Sequence, residues 1–146
     1  MVTQKNVRVA LVTGATSGIG VEIARQLVHD GFHVAVSGRS VERGERVATE
    51  LGDRAQFLRA DLLEPGSAAA LIDQTVQTLG RIDVLVNNAA IDHTNDLLEV
   101  GEGEIRETFE ANTFAPMNLL IAAARAMRAQ GAGGSIINVT SRLASI

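Results

Sequence analysis

The chain has 146 residues, 46% of them apolar and 21% charged, with a formal net charge of −4 and no Cys, Trp or Tyr. That is one domain's worth of chain with enough apolar content for a core; without Cys it can form no disulfide, thiolate zinc site or Cys nucleophile. Its basic residues are scattered, which argues against nucleic acid and anionic membrane as partners. No apolar run reaches the roughly 20 residues of a membrane-spanning helix. The opening "MVTQKNVRVALVTG" lacks a charged head followed by a long apolar stretch and a small-residue cleavage site, so it does not read as a secretory signal. The expected compartment is the cytoplasm, and no metal site is expected.

"VRVALVT" (Val7 to Thr13) is a near-continuous apolar run, the pattern of a strand covered on both faces. In "IGVEIARQLVHDG", Ile19, Ile23, Leu27 and Val28 fall at helical spacing and Gly31 is a natural stop. "HVAVSGR" reads as a second strand and "VERGERVATELG" as a second helix, ended by Gly52. "QFLRAD" reads as a third strand that ends at Asp61. Pro65 and Gly66 lead into a third helix, "SAAALIDQTVQTLG", with Ser67 as its expected N-cap. "IDVLVNNAA" reads as a fourth strand. A long helical stretch then runs from about Glu102 to Gln130, Gly131 to Gly134 make a turn, and "SIINVT" reads as a buried fifth strand.

This βαβαβαβαβ order predicts an α/β fold, a doubly wound parallel sheet with helices on both faces. Right-handed crossovers make 3-2-1-4-5 the expected strand order. With no linker or low-complexity tract between the elements, residues 1–146 read as a single dinucleotide-binding Rossmann domain.

"TGATSGIG" (Thr13 to Gly20) joins strand one to helix one. A diphosphate needs backbone N–H groups aimed at it, close approach without a Cβ, and the positive end of a helix. Gly14, Gly18 and Gly20 at a strand-to-helix turn meet those needs; a tight turn with packing glycines is the plainer alternative. The spacing is not that of a P-loop, since no Lys follows, nor of a nucleophile elbow, since Ser17 is misplaced for one. His29 and His33 flank a turn and read as solvated loop residues. The Asn138–Thr140 glycosylation sequon lies in the expected buried strand and reads as coincidental.

With these motifs in hand, the sequence resembles the short-chain dehydrogenase/reductase family, with the look of its bacterial ketoreductases and acyl-carrier-protein reductases. The motifs that carry the resemblance are T-G-x-x-x-G-I-G at Thr13 to Gly20, Asp61–Leu62, N-N-A at Asn87 to Ala89, and the strand-end Ser141. It covers essentially the whole chain, but only the N-terminal part of a typical member, so the sequence is expected to be truncated relative to the family fold.

The resemblance implies that Gly14, Thr16, Ser17, Gly18, Ile19 and Gly20 approach the cofactor's phosphates and ribose. It puts Asp61 beside the adenine amino group and Leu62 beneath the ring. Asn88, Ala89 and Ala90 would line the ribose next to the nicotinamide. Asn112 would kink the long helix and help hold a proton-relay water, and Ser141 would donate a hydrogen bond to the substrate oxygen; these two are the catalytic candidates. Plainer alternatives stay open: a turn acid for Asp61, an exposed helix polar group for Asn112, a turn serine for Ser141. Ala90 stands where the family has Gly.

The acid that grips the ribose 2′-hydroxyl in NAD sites lies about 20 residues past the glycine turn. Here that stretch is "VSGRS", with Gly38 and Arg39 and no acid. An Arg fork suits a 2′-phosphate, so NADP(H) is expected over NAD(H).

The family's proton donor is a Tyr whose pKa is lowered by a Lys one helical turn later. This chain has no Tyr, and its one Lys is Lys5. Three readings follow: an NADP(H)-dependent oxidoreductase acting on a ketone or secondary alcohol, of which this is the cofactor-binding half; a non-catalytic dinucleotide-binding module; or an interaction partner that complements a second chain. Strand five would be an apolar sheet edge, so a homo-oligomer or other self-association is expected.

Overall fold

Side-chain alternation along the strands decides the layering. In the first strand, β1 (Val9–Val12), Leu11 joins one hydrophobic cluster while Ala10 and Val12 join another. In β2 (His33–Gly38), Ala35 sits with Leu11, and Val34 and Val36 with Val12. In β4 (Val84–Asn87), Leu85 and Val86 divide in the same way. Successive strand residues point to opposite faces, so the continuous apolar runs of the sequence need cover on both sides.

The computed structural model describes residues 7–93, 96 and 98–141. The cover on one face comes from α1 (Gly18–His29) and α2 (Val41–Leu51), which supply Ala24 and Val47. On the other it comes from α3 (Ser67–Leu79) and α5 (Ala115–Gln130), which supply Leu71, Ile72, Leu119, Ala123 and Met127. With β3 (Ala55–Arg59) and β5 (Ser135–Asn138) the described strands form one parallel sheet in the order β3-β2-β1-β4-β5. This is the expected architecture.

Several local expectations are corrected. The strands are shorter than the apolar runs: Thr13 has already left β1, and Ala60 and Asp61 lie past β3. The N-cap of α3 is Gly66, in a left-handed conformation at φ 79°, and Ser67 is the first helical residue. His33 is not a loop residue but the first residue of β2, half-buried. The long helical stretch keeps its expected span, as α4 (Glu102–Phe109) and α5 joined without a gap by a π-helical turn at Glu110–Phe114, which holds Asn112. β5 is largely exposed rather than buried, Asn138 of the sequon included. Among the described residues it pairs only with β4, and Ile136 is its residue packed on the core.

Two side-chain anchors fix the end of the sheet away from the strand tips. Asp83 accepts the Val9 N–H at 2.8 Å and a two-pronged hydrogen bond from Arg81 at 2.8 and 2.6 Å. That hydrogen bond holds the Arg81 guanidinium above its ordinary pKa, against the smaller opposing effect of desolvation. Gln130, the last residue of α5, exchanges two hydrogen bonds with the Ile82 backbone at 2.7 and 2.8 Å.

Candidate functional site

Going outward from β1, the chain continues to β2 on one side and β4 on the other, so a crevice opens at the carboxyl tips where the strand order reverses. A cleft of about 370 Å³ lies there.

Its floor is the glycine turn. Thr13 is buried just past β1, and its Oγ1 donates to the Val86 carbonyl at 3.3 Å. The same oxygen accepts the N–H groups of Asn88 and Ala89, each at 3.1 Å. Asn88 returns the contact, its Nδ2 donating to the carbonyls of Thr13 and Gly14 at 3.0 and 3.2 Å. The two β-tip segments expected to meet the cofactor are thus bonded to each other.

Gly14 has φ 63°, and a Cβ there would stand 2.8 Å from the Ala89 Cα. Gly18 has φ 56°, but a Cβ there would meet nothing within 4 Å, so its space is open. Gly20 is also a close-packing position: a Cβ there would collide with the Gly14 carbonyl and the Asn88 side chain. Its bare backbone lets α1 pack against the turn.

The start of α1 is electrostatically unfilled. Ser17, its N-cap, makes no side-chain capping bond, and the first turn carries no acid. The first N–H groups of a helix have no partner within it. Here they sit beside an open cleft with no capping side chain of their own. That arrangement fits an anionic group such as a diphosphate.

The other expected residues fall around the same space. Thr16, Ser17 and Ile19 line it from the turn, and Arg39 from the end of β2. Asp61 and Leu62 line it beyond β3, and Asn88, Ala89 and Ala90 beyond β4. Asp61 also serves as a turn acid, its Oδ1 accepting the Leu63 N–H at 3.1 Å. Ala90 is accommodated without strain, since no described residue other than Gly has a positive φ.

The two catalytic candidates lie off the cleft wall. Asn112, in the π-helical turn, donates to the Ile91 carbonyl at 2.8 Å and accepts the Ile91 N–H at 2.9 Å. Since Ile91 does line the cleft, Asn112 acts there as a clamp on the wall. Ser141 lies exposed beyond β5. β5 runs in register with β4, Asn138 opposite Asn87, and the Val139 N–H donates to the Asn87 carbonyl at 2.9 Å. Ser141 therefore follows the strand tip next to the one that carries Asn88.

Thr13 and Arg43 are among the cleft-lining residues that sequence reasoning missed. Thr13 was visible as the first letter of the glycine motif, but its bonds depend on the β1–β4 register. Arg43 lines the cleft from the first turn of α2; its signal was a second Arg shortly after Arg39. Two residues beyond Ile91, His93 lies with Nδ1 3.7 Å from Glu104 and Nε2 3.3 Å from Glu107. The Nε2 atom is buried and makes no well-formed hydrogen bond.

A parallel sheet with a glycine turn at its switch point, an open helix N-terminus and a cleft across the strand tips defines a dinucleotide-binding protein. Comparison with known proteins narrows the class. The sequence profile of the family described as short chain dehydrogenase matches residues 8–146. "Granaticin polyketide synthase putative ketoacyl reductase 2" of Streptomyces violaceoruber is 43% identical over 138 residues, which cover 91% of this chain and 54% of that protein. L-2,3-butanediol dehydrogenase of Corynebacterium glutamicum is 35% identical over 139 residues, covering 92% of this chain and 54% of its own. The crystal structure of a short-chain type dehydrogenase/reductase from Mycobacterium marinum superposes with a TM-score of 0.89 at 34% identity, over 95% of this chain and 57% of that one.

The chain belongs to the short-chain dehydrogenase family, a family of NAD(P)-dependent oxidoreductases. It spans about half the length of the curated relatives it matches. No helix among the described residues is long and apolar enough to cross a membrane, and these residues hold no cluster suited to a metal ion.

Proposed function

We propose that residues 1–146 form the cofactor-binding domain of an NADP(H)-dependent oxidoreductase that interconverts a ketone and a secondary alcohol. The observation that carries this reading is the uncapped start of α1 beside the open cleft, next to a Gly14 that tolerates no side chain. When bound, the nicotinamide would supply or accept the hydride.

The chain's own residues divide the remaining work. Backbone N–H groups at Ser17 to Gly20 face the diphosphate, and Thr13 holds Asn88 and Ala89 in place beside the nicotinamide ribose. Asp61 and Leu62 take the adenine end and Arg39 the 2′-phosphate, because Gly38 and Arg39 stand at the end of β2 where an acid would receive a 2′-hydroxyl. Ser141 polarises the substrate oxygen. Asn112 keeps Ile91, and with it the wall of the cleft, in position. A developing alkoxide also needs a proton donor. The family's Tyr is absent from this sequence, so that proton comes from a segment bearing the Tyr–Lys pair. The alternative reading is a non-catalytic dinucleotide-binding module, in which the same cleft holds the coenzyme without turnover.

NADPH fluorescence titration, followed by an assay on acetoin-like ketones with and without an added Tyr-x-x-x-Lys-bearing C-terminal half of a relative, separates the two. Binding of NADPH with ketone reduction only in the mixture supports the oxidoreductase. NADPH binding with no turnover in any mixture favours the module, and no binding defeats both. The same proposal places the protein in the cytoplasm, as a homo-oligomer, without nucleic-acid or membrane partners.

A further inference from the structure

Of the histidines, His29 ends α1 and His33 begins β2, both at the end of the sheet away from the strand tips. His93 lies beyond the carboxyl tip of β4, two residues past the cleft-lining Ile91. Its side chain is only 26% exposed, and each ring nitrogen faces a carboxylate of α4: Glu104 at Nδ1, 3.7 Å away, and Glu107 at Nε2, 3.3 Å away. Glu104 is already engaged at its other oxygen, Oε2 accepting the Gly101 N–H at 3.0 Å, so its carboxylate is fixed to the start of α4.

One helical body thus meets the loop after β4 at two places. α4 runs straight into the π-helical turn, where Asn112 bonds both backbone groups of Ile91. The helix rises roughly 7 Å from Glu107 to Asn112, and the chain from Ile91 to His93 spans at most about 7 Å. The loop therefore runs along the helix in the opposite direction, with a contact at each end. The Asn112 contact is complete, at 2.8 and 2.9 Å. The His93 contact is not: 3.3 and 3.7 Å exceed the roughly 2.7–3.2 Å of a good N–H···O bond, and the buried Nε2 has no aligned partner. A buried polar atom left in that state costs stability that a small movement of the loop toward α4 recovers.

We propose that His93 is a positioning residue for the cleft wall, closing with Glu104 and Glu107 a second clasp on the loop after β4 when coenzyme fills the cleft. The nicotinamide ribose sits against Asn88 to Ala90 and settles the following residues onto α4. A ring with an N–H on each nitrogen serves both carboxylates. Because the bond is completed in the filled state, it contributes to coenzyme affinity rather than to the stability of the empty chain. The inference rests on the coenzyme reading above and goes beyond it by giving His93, Glu104 and Glu107 a part.

The test titrates NADPH onto the full chain and onto H93A, H93Q, E107Q, the double variant H93A/E107Q, and E102Q. Affinity is read by fluorescence and the histidine rings by nitrogen-15 NMR. Glu102 lies on the same helix but pairs with Arg106, so E102Q reports general charge loss. NADPH is expected to move the His93 ring signals saturably and leave those of His29 and His33 in place. H93A and E107Q weaken NADPH roughly 2- to 5-fold, as for a half-exposed ion pair, and the double variant is no weaker than either. H93Q, whose amide nitrogen falls near the place of Nε2, recovers part of the loss, and E102Q changes nothing. Thermal midpoints of the empty variants match that of the unaltered chain. If the unaltered chain does not bind NADPH, the coenzyme reading fails and the clasp with it. If NADPH binds but the His93 signals stay still, or the two single losses add in the double variant, the coenzyme reading stands and the clasp is overturned. An equal loss in E102Q overturns it as net charge, and a lowered midpoint in empty H93A overturns it as fold stability.

Discussion

Gly14 and Gly18 both take left-handed backbone, but for different reasons, and substitution separates them. Gly18→Ala pays only for the conformation, about 1–2 kcal/mol, because open space lies where its Cβ would go. Gly14→Ala adds a collision with the Ala89 backbone 2.8 Å away, and overpacking of that kind costs roughly 1–3 kcal/mol more. Urea denaturation should therefore place Gly14→Ala below Gly18→Ala in stability; the reverse order would contradict the close approach of the two β-tips. Thr13→Val should cost about 1–3 kcal/mol, because two backbone N–H groups lose their acceptor. The glycines were legible in the sequence because their spacing after a strand has few uses. The Thr13 bonds were not, since they join residues more than seventy positions apart that only the pairing of β1 with β4 brings together.

The π-helical turn at Glu110–Phe114 is the irregular element that reaches the site. Such turns insert one extra residue into a helix and commonly mark functional places. Here the insertion turns Asn112 toward the loop after β4, where its amide bonds both backbone groups of Ile91. Asn112→Ala should leave the fold intact, release the Ile91 amide to faster hydrogen exchange, and weaken coenzyme binding several-fold. Unchanged protection at Ile91 would show that the clamp does not hold the loop. The sequence resemblance located Asn112 at a kink. It did not show that the side chain binds Ile91, because no helical periodicity reports a partner in a distant loop. Element order was readable because apolar β-branched runs and amphipathic stretches alternate. Element ends were not: the apolar runs continue past the strand ends, as at Thr13 and Ala60, whose N–H groups still bond the neighbouring strand at Val86 and Gly38.

At the scale of the whole molecule, cover is uneven. β1, β2 and β4 are buried on both faces, whereas β5 exposes Ile137, with Val139 exposed just beyond its end, and α5 exposes Met117, Leu120 and Ile121. Phe109 and Phe114 are also about half exposed. Apolar surface beside an open sheet edge favours association, so sedimentation velocity at tens of micromolar should show species larger than the monomer. A single monomeric boundary, with the β5 amides protected from exchange, would contradict that expectation. The strand order was legible because right-handed crossovers allow few alternatives. The exposure of β5 was misjudged in reading "SIINVT" as buried, since an apolar strand sequence specifies that it needs cover and not what provides it.

The account rests on the glycine turn and the open start of α1 receiving the diphosphate of a nicotinamide coenzyme. Isothermal calorimetry of the folded chain with NADPH tests this directly, with Gly14→Ala, checked for folding, alongside. Saturable heat at a stoichiometry of one per chain, lost or strongly weakened in Gly14→Ala, is the predicted result. No heat with NADPH or NADH up to millimolar concentration, from a chain whose circular dichroism shows native helix and strand, would contradict it.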